Sequence, residues 1–134
     1  MIFVDTSAIY ALTDERCPDY DRAHQLFSYL LEERSPLLTH NYVVVEAMSL
    51  LQNRLGLAEA RTFADESRNF TIVWVDEDIH REAELRWANG RRKLSFVDIV
   101  SFVVMKRYQI DTAFAFDSDF VAAGFNVLTA TRRR

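Results

Sequence analysis

The chain has 134 residues, with 16 Lys and Arg against 20 Asp and Glu, so its formal net charge of -4 excludes a protein that grips nucleic acid over its whole surface, though not one with a local basic rim and bound cations. Hydrophobic residues at 49%, charged residues at 27%, and only three Gly and two Pro exclude a disordered or low-complexity chain. A single cysteine, Cys17, with no Cys/His spacing around it, excludes a disulfide framework and a structural zinc and points to a reducing compartment, where it reads as an inert thiol.

Ile2 to Val4 form a short apolar run that ends at Asp5, and Thr6 or Ser7 can cap a helix through about Leu12. A second helix is expected from near Pro18 to about Arg34, with Ala23, Leu26, Phe27, Leu30 and Leu31 on one face. Pro36 stops it, and Leu37 to Thr39 reads as a strand. Asn41 is a candidate N-cap for a helix to Leu55 with Gly56 as its stop. Val43 to Val45 fit a strand as well, but Val43, Ala47, Leu50 and Leu51 continue a helical period that carries Glu46 on the side of Val43 and Leu50.

A helix over about Leu57 to Arg68 follows, then a strand from Thr71 to Val75. Asp76 or Asp78 opens a helix to about Asn89, ended by Gly90. From Ser95 to Tyr108 the pattern is again helical, Ser95 serving as cap with Asp98 in the first turn. Thr112 to Phe116 reads as a strand ending at Asp117, followed by a helical turn through Ala123 and a last strand over Phe125 to Leu128. Strands alternating with helices imply an α/β fold, a three-layer α/β/α sandwich around a mainly parallel sheet, in one domain over residues 1–134. The longest apolar stretch, near Phe96 to Met105, is broken by Asp98 and Ser101 and is too short for a bilayer, and no basic segment precedes the first apolar run. A soluble, cytoplasmic protein is expected.

Four acids stand in or directly after apolar stretches: Asp5, Glu46, Asp98 and Asp117. A parallel sheet brings Asp5 and Asp117 to the carboxyl edge of the strands, where sites form in such folds, and Asp98 and Glu46 can lean over that edge from helices. Two carboxylates at about 4 Å repel by roughly 4 kcal/mol at an effective dielectric near 20, so four gathered acids call for hard cations, Mg²⁺ or Mn²⁺. Such ions can activate a water and stabilise the leaving oxygen in phosphodiester hydrolysis. Thr6 and Ser7 can cap the first helix, hold a metal-bound water or touch a phosphate. Asp119 fits either a further ligand or a cap for the helical turn.

Strand-Asp5-Thr6-Ser7, Glu46 in a central helix, the Ser95-Phe96-Val97-Asp98 helix start and Phe116-Asp117-Ser118-Asp119-Phe120 together resemble a PIN domain over nearly the whole chain. The stand-alone length resembles the VapC toxins of type II toxin-antitoxin pairs. The resemblance implies a magnesium-dependent endoribonuclease with Asp5, Glu46, Asp98 and Asp117 as its acidic centre. It also implies a homodimer silenced by a cognate antitoxin. Many relatives carry a single acid in the last motif, where this chain offers both Asp117 and Asp119.

Competing readings are a non-catalytic RNA-binding or regulatory protein and a metal-dependent phosphatase. Four clustered negative charges would not serve a polyanion-binding module, and no DxDxT nucleophile motif is present. His24, His40 and His80 share no motif, and no Ser/His/Asp set or glycine-rich phosphate loop occurs. Arg91, Arg92 and Lys93 precede the Asp98 helix and fit either contact with an RNA backbone or a solvated loop. Arg132 to Arg134 form a basic tail that fits either contact with RNA or a solubility element, and Trp74 and Trp87 read as core or interface residues.

Overall fold

The computed structural model describes residues 1–90 and 93–129. The expectations for Arg91, Arg92 and Arg132 to Arg134 lie outside them. Five strands, β1 (Ile2–Val4), β2 (Leu37–His40), β3 (Thr71–Val73), β4 (Thr112–Phe114) and β5 (Asn126–Val127), form one sheet in the order β3-β2-β1-β4-β5, with every pairing parallel. Among the described residues seven α-helices accompany them, α1 (Thr6–Thr13), α2 (Tyr20–Glu32), α3 (Asn41–Leu55), α4 (Leu57–Glu66), α5 (Glu77–Ala88), α6 (Phe96–Arg107) and α7 (Asp119–Ala122). Among the described residues no helix is long and apolar enough to cross a membrane.

From β1 the chain winds outward to β2 and β3, then returns to the other side of β1 for β4 and β5. The winding direction therefore reverses between β1 and β4, and open parallel sheets leave a crevice at that switch point. Both faces are covered. On one, Phe114 of β4 stacks on Phe27 of α2. On the other, Phe3 of β1 meets Phe120 of α7, which meets Phe102 of α6 edge-on. Ile99 to Met105 of α6 are all buried, so this helix is apolar around its circumference.

Several local expectations are corrected. Thr6 and Ser7 do not cap α1; Asp5 does, because its extended backbone lets the carboxylate accept from the Ser7 N–H. Pro18 lies in the turn ahead of α2, which starts at Tyr20. Leu31 is 58% exposed, since one residue beyond buried Leu30 turns about 100° round the helix. The valine-rich segment is helical, but the cap of α3 is His40: its Nδ1 accepts the Val43 N–H, which leaves Asn41 to receive the Val75 N–H at 2.6 Å. β3 stops at Val73 and β4 at Phe114, so Asp117 stands three residues past its strand. Trp74 and Trp87 are not core residues, being 71% and 54% exposed.

Candidate metal centre

Asp5 follows β1 directly and is almost wholly buried. Its Oδ2 accepts from the Ser7 N–H at 3.1 Å and the Ser7 hydroxyl at 2.7 Å, and Ser7 Oγ in turn accepts the Phe116 N–H at 2.9 Å. Ser7 thus links the acid after β1 to the segment between β4 and α7. Thr6 donates to Glu46 Oε1 at 2.6 Å, tying the side chain from α3 to the start of α1. Ser95 caps α6 by accepting the Asp98 N–H at 3.1 Å, which sets Asp98 in the first turn. The Asp119 N–H donates to Asp117 Oδ1 at 2.8 Å, folding the Asp-Ser-Asp segment so that both carboxylates stay on one side.

One carboxylate oxygen from each of Asp98, Asp117 and Asp119 lies within 4.8 Å of the other two. Burial pushes the Asp98 carboxyl up to about 7, with the charges of Asp5 and Asp117 adding to the rise. Burial likewise lifts Asp5 to about 6, against the pull of its bonds from Ser7 and with a push from Asp117. Asp117 is also raised, first by burial and then by the charge of Asp119, while the backbone N–H groups of Asp119 and Phe120 oppose the shift. Carboxylates that would hold protons when left alone fit a hard divalent cation, which supplies the positive charge that all of them lack.

Of the acids singled out by sequence, Asp5, Asp98 and Asp117 act on one another electrostatically, and Asp119 joins Asp98 and Asp117 as a close third. Glu46 is outside that close trio and is placed beside Asp5 by its bond to the neighbouring Thr6. Lys93 is exposed ahead of α6. His40 is fully buried and belongs to the scaffold. Ser101 Oγ donates to the Val97 carbonyl, so it accepts from His40 Nε2 at 2.8 Å. With Nδ1 accepting from Val43, the ring is the neutral Nε2–H tautomer, and burial holds it neutral by lowering its pKa to about 3. The bridging role of Ser7 was not foreseen, because its second partner lies 109 positions away.

A parallel sheet with carboxylates gathered beside its switch point fits a metal-dependent nuclease, the class to which the family match assigns the chain. The chain belongs to the PIN-domain family, whose profile matches residues 2–126, and is a VapC-type endoribonuclease toxin. It is 38% identical over 130 residues to the 23S rRNA-specific endonuclease VapC20 of Mycobacterium tuberculosis, in strains CDC 1551 / Oshkosh and ATCC 25618 / H37Rv alike, covering 93% of this chain and 95% of each relative. The crystal structure of M. tuberculosis VapC20, described as a sarcin-ricin loop cleaving toxin, superposes with a TM-score of 0.85 at 34% identity, over 93% of this chain and 96% of that one. A toxin-antitoxin complex from Klebsiella pneumoniae shares the fold, with a TM-score of 0.65 at 18% identity over 96% of this chain and 97% of that one.

Proposed function

We propose that this chain, acting as a single nuclease domain, hydrolyses a phosphodiester bond in the sarcin-ricin loop of 23S rRNA with Mg²⁺, for which Mn²⁺ substitutes. The observation that carries the reading is the trio Asp98, Asp117 and Asp119, three carboxylates within 4.8 Å at the carboxyl edge of the sheet. The relatives named for 23S rRNA and the sarcin-ricin loop support the choice of substrate. Asp98, Asp117 and Asp119 would hold the cation, with Asp5 as a further acid of the centre. A divalent ion there supplies Lewis-acid activation of a water and neutralises charge on the phosphate.

Glu46 has one carboxylate oxygen engaged by Thr6, which fixes the group and leaves Oε2 to accept a proton from the attacking water. The water oxygen bonds to phosphorus as the ester P–O bond opposite it breaks, and the departing oxygen leaves as a hydroxyl with a proton taken from solvent. Ser7 orients Asp5 and opposes the burial-driven rise of its pKa by donating to it twice. Lys93, exposed beside the start of α6, offers a cation to the RNA backbone. A cognate antitoxin that silences the enzyme, and a homodimer with twice the chain mass by light scattering, complete the proposal.

The test is cleavage of a sarcin-ricin stem-loop RNA by purified protein. Asp5→Asn and Asp98→Asn are expected to lower the rate by at least about a hundredfold, the scale lost when a principal electrostatic group is removed, with circular dichroism unchanged. Activity that survives either substitution, or an excess of chelator, would overturn the assignment.

A further inference from the structure

A cluster of rings that the hydrolysis does not use surrounds the start of α6. Phe96, in the first turn of α6, is its centre, with ring centroids 5.0 Å from His80, 5.5 Å from Trp87 and 6.5 Å from Tyr42. Trp87, in the last turn of α5, crosses Phe96 at 73° and is 54% exposed. His80 is pinned at both nitrogens, Nδ1 standing 2.7 Å from the Tyr42 hydroxyl and Nε2 3.5 Å from Glu84. The rings are therefore preorganised, and a large indole surface is open to solvent.

The cluster is linked to the acids through Tyr42, which precedes Glu46 by four residues and so shares one side of α3 with it, while Phe96 enters α6 in the same first turn as Asp98 but projects from a different face. A hollow of about 380 Å³ opens beside the rings, lined in part by Tyr42, His80, Asp76, Glu77 and Glu84, while Arg81 in its wall pairs with Glu77 at 3.1 Å. Carboxylates repel a phosphate but accept from the amino and imino groups of a base. The chemistry of this side thus selects a base and turns the backbone away.

Resting on the nuclease reading above, we propose that Trp87, with Phe96 and His80 behind it, is a stacking subsite that holds an unpaired nucleobase next to the scissile phosphate. Bases splayed from RNA loops stack on aromatic side chains in this way. The subsite would give the enzyme its preference for an unpaired loop over a duplex, in which bases are unavailable for stacking.

Two measurements test it. In cleavage of the sarcin-ricin stem-loop, Trp87→Ala is expected to raise KM about tenfold, a stacking contact's typical worth, with kcat within about twofold, and Trp87→Phe to restore most of the loss. In a binding assay without turnover, an Asp98→Asn, Trp74→Phe protein should show Trp87 fluorescence quenched by the stem-loop, and quenched less when loop nucleotides are made abasic one at a time. An unchanged KM in Trp87→Ala, quenching indifferent to every abasic site, or a change of mass by light scattering in Trp87→Ala would overturn the proposal, the last by making the indole an interface between copies. Failure of the unsubstituted chain to cleave RNA would instead sink the nuclease reading, since quenching needs no turnover.

Discussion

At the residue scale, Ser7 shows how one hydroxyl can stabilise a site without touching the chemistry. It donates to Asp5 and accepts from the Phe116 N–H, so it joins the two strand ends flanking the switch point. Ser7→Ala removes both bonds and leaves a part-buried backbone donor without its partner, a loss of about 1 to 3 kcal/mol. The expected result is a fall of that size in unfolding free energy by urea titration, together with a fall in cleavage rate, because Asp5 is then free to turn. A Ser7→Ala protein as stable as the unsubstituted chain would mean that the bridge contributes nothing. Ser7→Cys cannot rescue it fully, since a thiol is a weak donor and acceptor. Thr6 works alongside it by steering Glu46, and the pair explains why two adjacent hydroxyls follow the first acid.

At the scale of the element, what was legible in the sequence was whatever local chemistry decides. The C-terminal end of α3 was, because Gly56 adopts φ 105° and ψ 170°, a conformation essentially confined to glycine. The start of α6 was, because Ser95 caps it through a bond only three residues long. The His40 cap was not, since it depends on an imidazole being driven into the core and fixed there by Ser101 from another helix. Nor was the exposure of Trp74 and Trp87, which is a property of neighbours and not of the residues themselves. The conformation of Gly56 makes position 56 a point of strain for any side chain. A Cβ there would meet nothing within 4 Å, so Gly56→Ala adds backbone strain and no clash. The expected cost is about 1 to 3 kcal/mol of unfolding free energy, with activity retained below the melting transition. A neutral substitution would show that the α3–α4 junction can relax.

At the scale of the whole molecule, the fold brings together acids from positions 5, 98, 117 and 119 and holds them where they repel one another. Their gathering into an acidic cluster was readable from their order along the chain, but the standing of Asp119 was not, since it follows from the turn in which its N–H binds Asp117. The arrangement sets function against stability, and the sign is testable. Burial and mutual repulsion raise Asp5 to about 6 and Asp98 to about 7, from an ordinary 3.8. Between these values the folded metal-free protein binds more protons than the unfolded chain, so the contribution of both acids is greatest below about pH 4 and is lost as pH rises through 6 to 7. A divalent cation replaces the missing protons. Saturating Mg²⁺ or Mn²⁺ should therefore raise the melting temperature more at about pH 8 than at about pH 5. Asp98→Asn, which abolishes one charge of the cluster, should make the metal-free protein more stable than the unsubstituted chain at about pH 8, while removing its activity and weakening the metal's effect. Equal metal-induced shifts at the two pH values, or an Asp98→Asn protein less stable than its parent without metal, would show that the acids are not held in mutual repulsion and that the cation is not what the fold is built to receive.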